Sequence, residues 1–273
     1  QLLEKLPSSA IEAQAISVIL NAKDYFEQLL TLIDNAKTRI YITALYLEDD
    51  AAGRLVVQHL IAAKEKIPTL DIKLFVDFHR ARRGLIGQKE CEGNAAFYRE
   101  IDEKNPDFIQ FYGVAVKQKE LFGVLHLKGI VVDDTLAYTG ASINNIYLHQ
   151  DDKYRFDRYH VLESAELARS MREMIQTYIA SDVAVSSLTQ PKETEHLPSK
   201  AEVSSLKHRL SKAEYEFSQT KIGNRVTPLV GLGRKKNKLN KVIVALVEES
   251  EDALFICTPY FNPPYILVRA LAK

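Results

Sequence analysis

The stretch HLKGIVVDDTLAYTGASIN, residues 126–144, decides how this chain is read. Its apolar and β-branched residues flank Asp133 and Asp134, which predicts two strands, Val124–Asp133 and Thr135–Ala141, joined across a tight turn. His126 and Lys128 are two apart, so on a strand their side chains leave the same face. A lysine offers fixed positive charge to phosphate oxygens. A histidine, neutral near pH 7, can attack phosphorus or shuttle a proton. Asp133, five residues after the lysine, is placed to orient an imidazole. Gly140 permits close backbone approach after the return strand, and Ser142 and Asn144 add polar groups at the mouth.

Upstream, Ala15–Leu20 (AISVIL) reads as a short buried strand, and Asn21 caps a helix ending near Ala36. Arg39–Glu48 is a strand, Asp50–Lys66 a helix and Leu70–Phe78 a strand. Asn94–Lys104 is helical and Phe108–Val114 extended. Downstream, His160–Glu163 is one more strand and Ala165–Ser181 a long helix. Strands alternating with helices predict an α/β layered domain. From Val183 to about Ser204 the composition turns polar, as in a linker or surface loop, and Ala201–Phe217 reads as a charged helix.

The last stretch repeats an earlier pattern. Leu239–Glu249 followed by Ala253–Asn262 (ALFICTPYFN) echoes Tyr25–Ala36 followed by Arg39–Glu48. In both, an amphipathic helix ending in charge leads into an apolar strand closed by a tyrosine, Tyr46 or Tyr260, with a helix-like segment after it. A weak repeat of roughly 214 residues implies two similar halves, with the counterpart of the 126–144 stretch falling beyond Lys273. The chain opens at Gln1 without a methionine and is expected to be a trimmed piece, one and a fraction repeats, of a longer protein.

Lys plus Arg equals Asp plus Glu at 36 each, so any phosphate recognition comes from local patches rather than overall charge. That balance argues against a nucleic-acid groove. Cys91 and Cys257 stand far apart with no metal-ligand spacing, which excludes a disulfide framework and fits a reducing cytoplasm. No charge-free apolar run approaches the ~18 residues that span a bilayer, so a soluble or peripheral protein is expected.

Two further strings carry cations. Val76–Gly87 (VDFHRARRGLIG) sets His79, Arg80, Arg82 and Arg83 straight after a strand end, where α/β ligand sites lie, and arginine forks suit phosphate. The bland alternative is a solvated basic rim. Tyr147–His160 (YLHQDDKYRFDRYH) mixes tyrosines with Lys153, Arg155 and Arg158. The spacing of His126, Lys128, Asp133, Gly140 and Asn144 resembles the phospholipase D superfamily motif, although Ala141 stands where many members carry serine, with Ser142 beside it. With Thr227–Gly233 (TPLVGLG) and Cys257–Pro264 (CTPYFNPP), these strings are similar to the bacterial phosphatidylserine synthases of that superfamily, in order from Leu6 to Lys273.

The resemblance implies a phospholipase D-like fold, a mixed sheet flanked by helices, as the first of two similar lobes plus the start of the second. Residues 1–182 would form the first lobe, 183–225 a linker and charged helix, and 226–273 the beginning of the second. It implies transfer of the phosphatidyl group from CDP-diacylglycerol to L-serine with release of CMP, through a phosphohistidine, without metal or other cofactor. His126 would be the nucleophile or its acid partner, Lys128 and Asn144 would hold the phosphate oxygens, and Asp133 would be a supporting residue, either orienting a histidine or fixing the turn. His79, Arg80, Arg82, Arg83, Ser142, Tyr154, Arg155, Arg158 and Tyr46 are the candidate substrate contacts. The other six histidines are not followed two residues later by lysine, so the second motif would come from a missing C-terminal lobe or a second copy. A lipid substrate implies a cytoplasmic protein held peripherally on the inner membrane. Leu121–Leu125, Pro263–Val268 and the basic run Arg234–Lys238 are candidates to meet its anionic surface, and no nucleic acid is expected. The rivals are another phosphodiesterase of this superfamily, such as a cardiolipin synthase, phospholipase or nuclease, and an inactive half-site.

Overall fold

Side-chain alternation along the central strands sorts the chain into two apolar cores on opposite faces of one sheet. In the computed structural model, which describes residues 2–83, 93–117, 125–191, 194–218, 223–231, 237–258 and 261–272, strand β3 (Arg39–Thr43) sends Ile40 and Ile42 to one core and Tyr41 to the other. Strand β4 (Asp71–Asp77) does the same with Leu74 and Val76 against Phe75. The first core is closed by α1 (Ala22–Asp34), α2 (Ala51–Lys66), the short α3 (Phe78–Ala81) and α4 (Asn94–Lys104), through Leu29, Ile33, Val56, Leu60, Phe78, Tyr98 and Ile101. The second is closed by α5 (Ala165–Ile175) and α6 (Lys200–Ser211), through Leu167, Met171, Ile175, Leu206 and Leu210. The result is the expected mixed sheet flanked by helices.

The remaining strands of that sheet are β2 (Ile16–Ile19), β5 (Gln110–Val114), β6 (Gly129–Val132), β7 (Thr135–Thr139), β8 (Tyr159–Glu163) and β9 (Val185–Ser187). Their order is β2-β8-β7-β6-β3-β4-β5-β9, parallel for β3-β4-β5 and antiparallel elsewhere. A separate pair joins β1 (Ser9–Ile11) to β10 (Asn224–Val226). Asn21 and Asp50 cap α1 and α2 by accepting the N–H of Asp24 and Gly53, a kind of bond worth about 1 kcal/mol each. At Gly53 a Cβ would stand 1.8 Å from the carbonyl oxygen of Glu48, so only glycine lets α2 start this close to the segment after β3.

Several elements depart from expectation. The strand expected over Arg39–Glu48 ends at Thr43. The strand expected from Val124 starts at Gly129, so His126 and Lys128 precede it. The helix after β8 runs as α-helix to Ile175 and finishes in a wider π-turn, Gln176–Ala180. In the polar stretch expected as linker, Val185–Ser187 pairs with Tyr112–Val114, because the open edge of β5 still offers ladder hydrogen bonds and a short polar strand tolerates an exposed edge. Beyond α7 (Lys238–Glu248), the strand expected over Ala253–Asn262 is absent among the described residues. No neighbouring strand pairs with it, and Leu254, Phe255 and Ile256 are exposed, Phe255 at 94%. A short helix, α8 (Tyr265–Leu271), follows. Tyr260, Gly84–Gly87, the first four residues of Leu121–Leu125, Gly233 and Arg234–Lys236 lie outside the described residues.

Candidate phosphate-binding site

Strands β3 and β6 stay paired up to Thr43 and Gly129, where the Thr43 hydroxyl donates to the Gly129 carbonyl at 2.9 Å. Past that point the chain after β3 leans toward β4, with Ala44 N–H donating to Phe75 and Asp77 N–H to Leu45. Residues 125–128 therefore have no ladder partner, and the strand geometry expected for His126 and Lys128 does not hold. The segment is pinned from another direction. Asp77, fully buried at the end of β4, accepts the N–H of Leu125 at 2.6 Å and that of Arg80 at 2.8 Å.

Lys128 is buried at 7% exposure, and its Nζ has no hydrogen-bond partner among the described residues. It lines a small cavity with Tyr25, Thr43, Thr139 and Ser142. Burial pushes its pKa down to about 8, with the charge of Asp157 opposing. His126 keeps an exposed edge, while the surrounding protein and then the charge of Lys128 push its pKa down to about 4, again against Asp157. The imidazole is thus a free base at neutral pH. Asp157 accepts the N–H of Gly140 at 3.1 Å and of Arg158 at 2.7 Å. A Cβ at Gly140 would stand 2.9 Å from its carboxylate, which explains the glycine better than the return strand does.

A second group of residues joins this one through the segment after β3. Leu47 bridges to Ile143, and the N–H of Glu48 donates to the Ile143 carbonyl at 3.0 Å, so residues 46–48 run beside 142–144. Asn144 donates from Nδ2 to the Tyr46 hydroxyl at 3.0 Å and accepts the N–H of Tyr147 at 2.9 Å. Its side chain also lies near the Glu48 carboxyl, and the Ser142 hydroxyl near the Tyr46 phenol. The Arg80 guanidinium lies over the Tyr46 ring at 4.6 Å. Burial raises the pKa of Glu48, with Arg80 and Asn144 opposing. Ser142 therefore puts a hydroxyl into the site, while Ala141 is buried in the first core.

His126, Lys128, Ser142, Asn144, Tyr46 and Arg80 are thus brought together, and other candidates are not. The Asp133 carboxylate accepts the N–H groups of Lys37, Thr38 and Arg39 at 2.7, 2.8 and 3.0 Å and the Thr38 hydroxyl at 2.7 Å, at the far end of β6. Those bonds hold its pKa below the usual carboxylate range. These bonds tie Asp133 to residues 37–39, the segment that enters β3. The Arg82 guanidinium pairs with Glu195 at 2.7 Å. His79 Nε2 meets the Lys117 carbonyl at 2.7 Å, and the backbone of Arg83 packs under Gly93. Tyr154 stacks on His149 at 3.6 Å, Arg155 donates to the Tyr147 hydroxyl at 3.2 Å, and Arg158 lies 3.5 Å from His160. Tyr154 and Arg155 sit on the exposed loop between Asn144 and Asp157, and Arg158 follows it, exposed, directly before β8. Sequence reasoning missed Asp77, Glu48 and Asp157, which no local spacing connects to the motif.

A neutral imidazole beside a buried ammonium, with amide and hydroxyl donors at hand, can bind a phosphodiester and attack it. The family model described as cardiolipin synthase, phospholipase D-like domain, matches residues 29–179. The CDP-diacylglycerol–serine O-phosphatidyltransferases of Haemophilus influenzae and Escherichia coli are each 40% identical across 100% of this chain. The chain spans 61% of the length of each. It matches the crystal structure of the Haemophilus influenzae phosphatidylserine synthase with a TM-score of 0.89, over 99% of this chain and 61% of that one.

Proposed function

The chain belongs to the phospholipase D-like family, and on that premise we propose that it forms one half of the active site of an enzyme moving the phosphatidyl group of CDP-diacylglycerol to L-serine. The observation that carries this reading is Lys128. A buried ammonium without a partner costs stability unless an anion meets it, and a phosphodiester beside a free-base imidazole is such an anion. The choice of substrates follows the two serine transferases that are 40% identical to this chain over its length.

In the first step a His126 nitrogen attacks the phosphatidyl phosphorus. The P–N bond forms and the P–O bond to CMP breaks, CMP leaving with the electron pair. Lys128 and Asn144 hold the non-bridging oxygens as charge develops. In the second step the serine hydroxyl oxygen attacks phosphorus, the P–N bond breaks, and the hydroxyl proton passes to a second histidine. This chain carries one His-x-Lys, so that histidine comes from a further lobe or a second copy. The lipid substrate puts the protein peripherally on the anionic, cytoplasmic face of the inner membrane. No helix among the described residues is long and apolar enough to cross a membrane.

The test is CMP release from CDP-diacylglycerol in mixed micelles by the intact protein, with and without L-serine, for the wild type and His126→Ala. Serine-dependent release that the variant loses while keeping its fold is expected. Near-normal turnover by the variant would overturn the role of His126. The family model's own description supports a second reading, and release stimulated by phosphatidylglycerol instead of serine would favour it.

A further inference from the structure

The loop between Asn144 and Asp157 leaves the site and returns to it. It departs at Asn144, whose side chain accepts the N–H of Tyr147 at 2.9 Å. It comes back at Asp157, which accepts the N–H of Gly140 at 3.1 Å. Between these ties, residues 151–156 are all exposed. Phe156 is 79% exposed, Ile146 41% and Tyr154 40%. The Phe156 ring meets Tyr154 edge-on at 5.1 Å, and Tyr154 stacks on His149 at 3.6 Å. The N–H of Arg155 donates to the Ile146 carbonyl at 3.1 Å, so the apolar groups are held together outside the core. We propose that this loop is the surface on which the protein docks to an anionic bilayer, with Phe156 entering the headgroup boundary and Lys153 and Arg155 meeting lipid phosphates. The role rests on the serine-transfer reading above for its lipid substrate.

Composition, charge and place support this partner. Leu254, Phe255 and Ile256 are exposed where no described strand pairs with them, whereas Phe156 sits beside the paired strands β7 and β8, on a loop tied at both ends. Aromatic rings favour the headgroup level of a bilayer, and cations beside them favour anionic headgroups. Over residues 146–158 acids and bases are equal, three each, but they do not face alike. Asp157 turns back to Gly140, and Asp151 accepts from the Asn145 amide at 3.4 Å. Lys153, Arg155 and Arg158 are exposed, with the Arg155 guanidinium 5.4 Å from the Tyr147 ring centre. The loop is tied to Gly140 and Asn144, on either side of Ser142, which lines the cavity of Lys128. A docked loop therefore sets the phosphate-binding groups beside the headgroup layer, where the phosphodiester of a membrane lipid lies.

The experiment measures partition of the intact protein onto vesicles of phosphatidylethanolamine and phosphatidylglycerol by sedimentation. Beside it, serine-dependent CMP release is followed from a short-chain CDP-diacylglycerol dissolved as monomers. Phe156→Ser should lower the partition about 10-fold or more. Lys153→Glu should lower it roughly 10-fold at low salt, and that effect should fade at high salt. Both variants should turn over the monomeric substrate like the wild type, which also shows that they fold. Unchanged partition in both would overturn the assignment, and a lowered melting temperature beside it would mean that the loop covers protein instead. Equal losses on vesicles and on monomers would overturn it too, because the loop would then act at the reacting groups. Each of these outcomes leaves the transfer reading standing while the wild type still depends on serine. A wild type without serine-dependent release would overturn that reading, and the partition would still judge the loop.

Discussion

The backbone N–H of Leu125 donates to Oδ2 of Asp77 at 2.6 Å, across 48 residues of sequence. The other oxygen of that carboxylate accepts the N–H of Arg80 at 2.8 Å. One fully buried side chain therefore holds the residue before His126 and the start of the short helix that carries Arg80. It does for residues 125–128 what ladder pairing does for β6.

Asp77→Ala should strand two N–H donors and destabilise the fold by about 3 kcal/mol, read from the urea midpoint. Turnover of the folded fraction should fall as well, because His126 and Arg80 both lose their anchor. Unimpaired turnover would show that the segment holds its place without Asp77.

Lys128 bears on pH. Its folded pKa of about 8 lies below the ordinary 10.5, so the unfolded chain binds its proton more tightly. The penalty is fully present below pH 8 and is relieved as pH rises toward 10.5. Lys128→Met should therefore stabilise the protein at pH 7, by up to about 3 kcal/mol, while abolishing transfer, and the gain should shrink by pH 10. Unfolding at both pH values measures this. A variant less stable at pH 7 would mean that the ammonium is already satisfied.

Asp133 should behave as a structural carboxylate. Asp133→Ala removes the acceptor of three N–H groups and a hydroxyl and should cost about 2 kcal/mol, with transfer persisting in the folded fraction. Its folded pKa is depressed, so its contribution is present above the ordinary carboxylate pKa and lost as pH falls through the lower folded value. The gap between wild type and variant should close in acid. A variant that is stable but inactive would restore a catalytic role.

Arg80 and Arg82 should separate cleanly. Arg80→Ala should lower kcat/KM for CDP-diacylglycerol by about 10-fold or more, since its guanidinium lies over Tyr46 in the site. Arg82→Ala should act mainly on stability, because it leaves the Glu195 carboxylate, 2% exposed, without its arginine. Adding Glu195→Gln should recover part of that loss. Equal kinetic effects of the two would contradict this division.

Much of the fold was legible because its signals are local. Asn21 and Asp50 reach N–H groups three residues on, and the alternation in Arg39–Thr43 and Asp71–Asp77 states two-sided burial without reference to the rest of the chain. The strand at Val185–Ser187 was hidden because its cause is the open edge of β5, not its own polar residues. The strand expected at Ala253–Asn262 was over-read because an apolar run becomes a strand only beside a partner.

The site divides in the same way. The candidate chemistry was legible locally: His126, Lys128 and Asn144 lie within one hairpin-centred stretch, so their spacing suggests a histidine and a cation for phosphate. Which other groups join them follows from contacts that folding makes between distant residues. Asp157 meets Gly140 across 17 residues, Asp77 meets Leu125 across 48, and Tyr46 meets Asn144 across 98. The same folding ties Asp133 to residues 37–39 and sets Arg80, not Arg82, over the Tyr46 ring. Two arginines two residues apart are alike as letters, and what separates them is the partner that folding brings within 3 Å of one of them, the Glu195 carboxylate at 2.7 Å.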